Sequence, residues 1–366
     1  MRYEEFNWGP GIFIITYHVA LLVGLPYYIF AVGINAKVVL ISTILLFLSG
    51  ISISSGYHRY YAHKAYNASK IVESVLLFFS TMALQGSALY WSYEHRLHHK
   101  FTDKEGDPHS IKKGFLYAHM LWIFRRPKPI DRGIVQDLEK KPIIRFQHRF
   151  YVPLAIAANV LVLLFIFWLT NDLFGTFVIA FLARIFLLHH FTWFINSLAH
   201  TWGAKTYSGE QTAVDNYLIA LVTWGEGYHN YHHVFASDYR NGVKWYHFDP
   251  SKWLVWSLNK IGMTKDLKRV NPYAIKKMIV IEDKKILLGK LKEANPKEKG
   301  ILELRVNEVS EKIMAKISEI SNIMQGYAKS KEASLKKQIK EFRASLNSAW
   351  EEWEKLSKEI MKLPSA

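Results

Sequence analysis

The stretch VVLISTILLFLSGISISSGYHRYYAH, residues 38–63, decides the architecture. Its first part, Val38 to Tyr57, carries no charge. As a helix it meets the roughly 20 residues needed to cross a bilayer core. The run empties directly into two histidines, His58 and His63. Three further stretches have the same apolar character, at Pro10 to Val32, Val152 to Leu169 and Phe174 to Ala199. A fifth run, Ile71 to Trp91, is interrupted by Gln85, Gly86 and Ser87 and is expected to lie against the membrane or under the bundle. The first span is flanked by Arg2 but also by Glu4 and Glu5, with no small-residue cleavage pattern, so it does not read as a signal peptide. The expected fold class is all-α: four transmembrane helices, a helical cap and a helical extension.

Charge sets the sidedness. The 366 residues are 50% hydrophobic, yet 47 Lys and Arg give a formal net charge of +16. The connection between the first two spans has Lys37 as its only cation, and the one near Asn171 and Asp172 has none. The segment from His58 to Phe150 holds sixteen Lys/Arg against eight Asp/Glu. The positive-inside rule therefore predicts a multi-pass membrane protein with that segment, everything after Ala199 and both termini in the cytosol. The basic excess reads as a topology determinant and a contact for anionic lipid; no nucleic acid partner is expected. The chain has no cysteine, which excludes disulfides, Cys-ligated iron–sulfur clusters and thiol catalysis.

Sixteen histidines are present, and their placement is selective. His58 and His63 close the second span; His95, His98 and His99 form Glu-His-Arg-Leu-His-His; His229, His232 and His233 form His-Asn-Tyr-His-His; Asn196 and His200 end the fourth span. Positions i, i+3 and i+4 share one helix face, so each triple presents its rings to one side. His58 and His63 are five apart, roughly 140° around an α-helix, and reach one metal only through a bend, or two metals from adjacent faces. One ion takes about four to six ligands, so nine imidazoles suit two ions. His18, His119, His148 and His247 read as ordinary hydrogen-bonded residues. The pair His189–His190 either lines the bundle interior or forms a second proton or metal site.

At these residues the chain resembles the membrane-bound acyl-CoA desaturase family, of the stearoyl-CoA Δ9 type, from about Trp8 to Asn271. The resemblance rests on the order His-x4-His, His-Arg-x-His-His, Asn-Ser-x-x-His, His-Asn-x-His-His, with Gly106-Asp107-Pro108-His109, Lys112-Lys113-Gly114-Phe115 and Gly225-Glu226-Gly227-Tyr228. It implies a four-span mushroom with a cytosolic cap and a di-iron centre. It further implies that His58, His63, His95, His98, His99, His200, His229, His232 and His233 bind two irons. Asn196 would act through a water, with Asp107 and Glu226 orienting imidazoles. In the family a Gln, a Trp and a Thr surround the bend of the substrate tunnel, matched here by Gln85, Trp91 and Thr192, with Trp193 adjacent. Lys112 and Lys113 match a basic pair that meets the CoA phosphates. The family's Arg-Asp before the second histidine box is Tyr93-Glu94 here, which keeps an acid and loses the Arg. An acyl chain on a phospholipid or carrier protein thus stands beside acyl-CoA. Arg184 also has a family counterpart and is expected to snorkel to the outer interface.

A saturated chain offers no acid, electrophile or handle, so oxidising it calls for metal-activated oxygen. The expected activity is an O2-dependent fatty acyl desaturase, with a di-iron hydroxylase as the alternative and a non-catalytic metal-binding membrane protein behind both. Without a His-Pro-Gly-Gly haem signature, the electron donor is expected to be a separate protein, cytochrome b5 or ferredoxin-like. The membrane domain is expected over 1–275. In 276–366, twenty Lys/Arg and fourteen Asp/Glu accompany two amphipathic runs, Leu302 to Met324 and Leu335 to Ile360, with a break across Gly326 to Ser330. These predict a helical hairpin that packs on the cap, self-associates or lies on lipid.

Overall fold

The computed structural model describes residues 6–293 and 296–364, with no side chain described at 296–298 and 328–329. It divides into two compact units, Met1–Ala204 with Gln211–Arg269, and Lys205–Glu210 with Val270–Ala366.

In the first unit four helices are long and apolar enough to cross a membrane: Trp8–Val32, Ala36–Ala62, Tyr151–Thr170 and Leu173–His200, here spans 1 to 4. Their outward faces stay apolar and exposed, as at Leu22, Phe30, Leu161 and Trp168. At the ends remote from His58 and His200, spans 1 and 4 are tied by the Tyr28 hydroxyl, which donates to Asp172 Oδ2 at 2.6 Å. The interrupted run becomes two helices, Lys70–Met82 and Ala88–Phe101, each N-capped by a serine, Ser69 and Ser87. The first packs against spans 2 and 3. Gly86 takes a φ of 92° at the corner between them, a conformation that favours glycine. The second carries His95, His98 and His99 back out of the bundle.

Span 2 changes its winding where it meets those histidines. Residues Ala36–Ser52 are α-helical and Ile53–Ala62 are π-helical. The His63 amide bonds the His58 carbonyl at 3.1 Å, closing an i→i+5 turn. Positions five apart, which diverge on an α-helix, are thereby brought onto one face. No external bend is needed: the His58 and His63 ring centroids are 4.8 Å apart.

Arg184 corrects an expectation. It does not snorkel outward but is 2% exposed inside the bundle. Its guanidinium bonds Asn159 Oδ1 at 2.5 Å, the Ala180 carbonyl at 2.8 Å and Ser49 Oγ at 3.3 Å. Fixed oxygens from three spans replace the water that snorkelling would have found, and a buried charge is tolerated only with such partners.

The second unit is a three-helix assembly of Pro272–Leu291, Pro296–Ser330 and Ala333–Met361. The two amphipathic runs form the expected pair, and the break falls at Lys331, which takes a φ of 60°, rather than across Gly326 to Ser330. Val280, Leu287 and Leu291 of the first helix complete a core with Val306, Ile313, Leu346, Trp353 and Ile360.

Replacing Arg184 with Ala should strand its oxygen partners and lower stability by about 2–4 kcal/mol. Thermal unfolding in detergent reads this. An interface-facing Arg would give a change within experimental scatter.

Candidate metal centre

Nine histidines converge at the cytosolic-side ends predicted for spans 2 and 4, in two sets. One joins His58, His63, His95, His99 and His232; the other joins His98, His200, His229 and His233; within each, one ligand atom per residue lies within 4.8 Å of the rest. Span 2 supplies the first pair through its π turn, and Ala88–Phe101 supplies His95, His98 and His99. A short helix, His229–Val234, supplies the last three. His200 comes from the 3-10 turn Leu198–His200 that ends span 4.

The ring nitrogens show why such a site calls for a cation. His98 Nδ1 lies 3.0 Å from Asp107 Oδ1, and His58 Nδ1 lies 2.9 Å from Glu226 Oε2. His200 Nδ1 sits 2.8 Å from Thr212 Oγ1, whose hydroxyl donates to Asp103 Oδ1 at 2.7 Å, so the threonine oxygen accepts from His200. A neutral imidazole with hydrogen on Nδ1 presents a bare lone pair at Nε2. Those Nε2 atoms face other Nε2 atoms: His58 to His232 at 3.0 Å, His98 to His233 at 3.3 Å and His200 to His229 at 3.1 Å. His63 and His95 approach at 2.7 Å. A metal ion between the rings satisfies such a donor set, and imidazole suits iron, zinc and copper. The residues therefore fit a metal.

Electrostatics agree. Burial, followed by the charge its neighbours would carry, pushes His63, His95, His99, His229, His232 and His233 well below the ordinary imidazole value. They are neutral, which is the ligating form. Burial alone would raise Asp107 and Glu226, but their histidine partners, with Arg59 for Glu226, outweigh it and hold both at about 2. Arg59 is 1% exposed and bonds Glu226 Oε1 at 3.0 Å, and its Nη2 lies 3.0 Å from Asp249 Oδ1. Gly225 is required there: at φ 98° a Cβ would meet Asp249 Oδ1 at 2.6 Å.

A cavity of about 220 Å³ opens beside the histidines. Phe13, Ile14, Leu84, Trp91, Trp193 and Trp224 give it an apolar wall, and His58, His95, His98, His229 and Asn196 also line it. Gln85 Nε2 donates to Thr192 Oγ1 at 2.9 Å, so the interrupting amide has its partner on span 4. Trp91 stacks on His95, with centroids 5.0 Å apart. Glu94 lines the cavity too, and burial raises it to about 7.

The sequence profile of the fatty acid desaturase family matches residues 35–259, which includes every one of these histidines. The chain belongs to the fatty acid desaturase family. It is 38% identical over 277 residues to a probable acyl-CoA desaturase of Schizosaccharomyces pombe, covering 74% of this chain and 58% of the relative. It is 33% identical over 302 residues to acyl-CoA desaturase 1 of Saccharomyces cerevisiae, covering 80% and 58%. A Delta(9)-fatty-acid desaturase, fat-6, of Caenorhabditis elegans is 32% identical over 272 residues, covering 72% and 79%. The chain thus spans 58% of the length of the two yeast relatives.

Of the residues singled out in this desaturase-family chain, Gln85, Trp91, Thr192, Trp193, Asn196 and Glu226 all line the cavity. Asp107 sits behind His98. Lys112 and Lys113 do not line it; both are exposed on the turn Ile111–Lys113, with Lys113 Nζ 3.4 Å from the Asp107 carbonyl. Sequence reasoning missed Asp103, Thr212 and Arg59. The first two are 109 positions apart, and nothing in their spacing links them. Arg59 carried a signal, a cation at the end of an apolar span beside His58.

Metal retention should depend on pH with a fixed sign. His63, His95, His99, His229, His232 and His233 titrate below 6.5, the value they regain in an unfolded chain. The unfolded chain then binds more protons than the cage below that pH. Retention is full above it and falls as acid increases. Chelator challenge across about pH 5 to 8 reads the trend; retention that rises toward acid would contradict it.

Proposed function

We propose that this chain is an oxygen-dependent fatty acyl desaturase. It inserts a cis double bond, at the Δ9 position, into a saturated acyl chain carried as acyl-CoA. The single observation behind this reading is that a nine-imidazole donor set adjoins a largely apolar cavity. Two iron ions would be held by His58, His63, His95, His99 and His232 and by His98, His200, His229 and His233, and would supply the oxidising chemistry with O2. Asn196 would act through a water.

The protein's own task is placement. A featureless methylene chain is held by apolar contact alone, so its register comes from the shape of the wall. The Gln85–Thr192 bond fixes one side of that wall, and Trp91 and Trp193 form another. Asp107 and Glu226 keep hydrogen on Nδ1 of His98 and His58, which aims their lone pairs at the site. Lys112 and Lys113 meet the phosphates of the carrier. Both termini and the active site face the cytosol. There the basic surface suits an acidic electron donor, a separate cytochrome b5 or ferredoxin-like protein. The Δ9 position is supported by the worm relative named for it.

Expression of the full chain in a host lacking its own desaturase, followed by chromatography of fatty-acid methyl esters, tests the reading. A cis-monounsaturated product supports it; a hydroxylated chain, or no change, rejects it. Thr192→Val removes the acceptor of Gln85 and should broaden the product into positional isomers at a turnover reduced about tenfold. A single unchanged isomer would remove Thr192 from the positioning role.

A further inference from the structure

The turn between the helices Lys70–Met82 and Ala88–Phe101 holds a residue that local preference would not place there. A helix that ends in the left-handed conformation usually does so on glycine. Here Leu84, just past the C-cap Ala83, takes that place with a φ of 55°. A residue with a Cβ pays for this conformation, and it persists only where its surroundings over-determine it. Leu84, Gln85 and Gly86 all line the cavity. The Leu84 side chain packs on the cluster that contains Ile14, Tyr17 and Trp193. The leucine is thus a piece of cavity wall, held in a backbone shape it would not choose.

The spans hold it. A helix end leaves carbonyls without partners, and within an apolar bundle the protein must supply the donors. Asn159 Nδ2 of span 3 donates to the Met82 carbonyl at 3.3 Å, and the Tyr57 hydroxyl of span 2 donates to the Gly86 carbonyl at 3.2 Å. The Gly86 amide in turn donates to the Tyr151 hydroxyl at 2.9 Å. Between them lies the Ala83 carbonyl, 2.9 Å from His189 Nε2 of span 4. That oxygen belongs to the planar peptide unit joining Ala83 to Leu84, so holding it fixes the plane from which Leu84 turns.

The chemistry of the ring fixes its own orientation. A carbonyl only accepts, so in the neutral imidazole hydrogen sits on Nε2 and Nδ1 accepts. The Tyr17 hydroxyl of span 1 lies 3.0 Å from Nδ1 and donates to it. His189 and Tyr17 are each 3% exposed. His189 also lines the cavity, with Trp193 packed on its ring at a centroid distance of 5.2 Å.

We propose that His189 is a positioning residue for regioselectivity: it holds the Ala83 carbonyl, and through it Leu84, at the cavity wall, and so sets which carbon pair of the acyl chain lies beside the metal centre. Tyr17 holds the ring in the donating orientation. The inference rests on the desaturase reading and adds the element that places the chain.

The test uses the full chain. In a host lacking its own desaturase, the readout is the ratio of the main olefin isomer to its neighbours. That ratio is a discrimination between two transition states, which a merely structural loss would not move. His189→Leu should lower it about tenfold, the worth of one hydrogen bond. In His189→Gln the amide nitrogen can stand where Nε2 stood, and the ratio should return to within about twofold of wild type. Tyr17→Phe leaves the ring in place and should lower the ratio about threefold; it carries the test if His189→Leu misfolds. In lipid nanodiscs with zinc in the metal sites, 15N-labelled histidine should report Nε2–H at His189. A wild-type ratio in His189→Leu or in Tyr17→Phe, equal scrambling by the Gln and Leu variants, or Nδ1–H at His189 would overturn the proposal. An unaltered protein that forms no olefin, yet carries Nε2–H at His189, would instead sink the desaturase reading.

Discussion

An imidazole whose Nδ1 hydrogen is directed at an oxygen presents a lone pair at Nε2, and a cation placed among several such rings satisfies them together. His58, His98 and His200 each have Nδ1 against a carboxylate or a hydroxyl oxygen, and each turns Nε2 toward another histidine. The surroundings of the centre follow from this constraint. Spans must deliver rings from distant parts of the sequence to one place, with buried acids behind them. Glu226 has a buried cation of its own, Arg59, which it shares with Asp249. Breaking such a network leaves an uncompensated charge, which is why it packs so completely.

The same logic separates two kinds of histidine in this protein. In the candidate metal centre His58, His98 and His200 have an oxygen beside Nδ1, which leaves Nε2 to coordinate. Along His18, His190 and His119 each ring bonds the next, so those rings satisfy one another. An imidazole's role is set by the partner of its other nitrogen.

Much of this was legible in the sequence. The four spans, the nine histidines and the partnering of Gln85 follow from period, length and the cost of a lone amide in an apolar run. Other features were not, each for a physical reason. The π turn of Ile53–Ala62 departs from the 3.6-residue period on which face arguments rest, so the alignment of His58 with His63 was hidden. Arg184 reads as a snorkelling residue because sequence does not reveal that Asn159 and Ser49 meet it. The Asp103–Thr212–His200 series joins residues whose proximity only the tertiary fold creates. In the second unit, the helix Pro272–Leu291 carries its apolar positions among many lysines, so two helices stand out from the pattern and the third does not.

The most direct test of the central claim is elemental analysis of the tag-free full chain, purified from cells grown with trace metals. Two transition-metal ions per polypeptide are predicted. A value near zero, with the protein folded, would contradict the account.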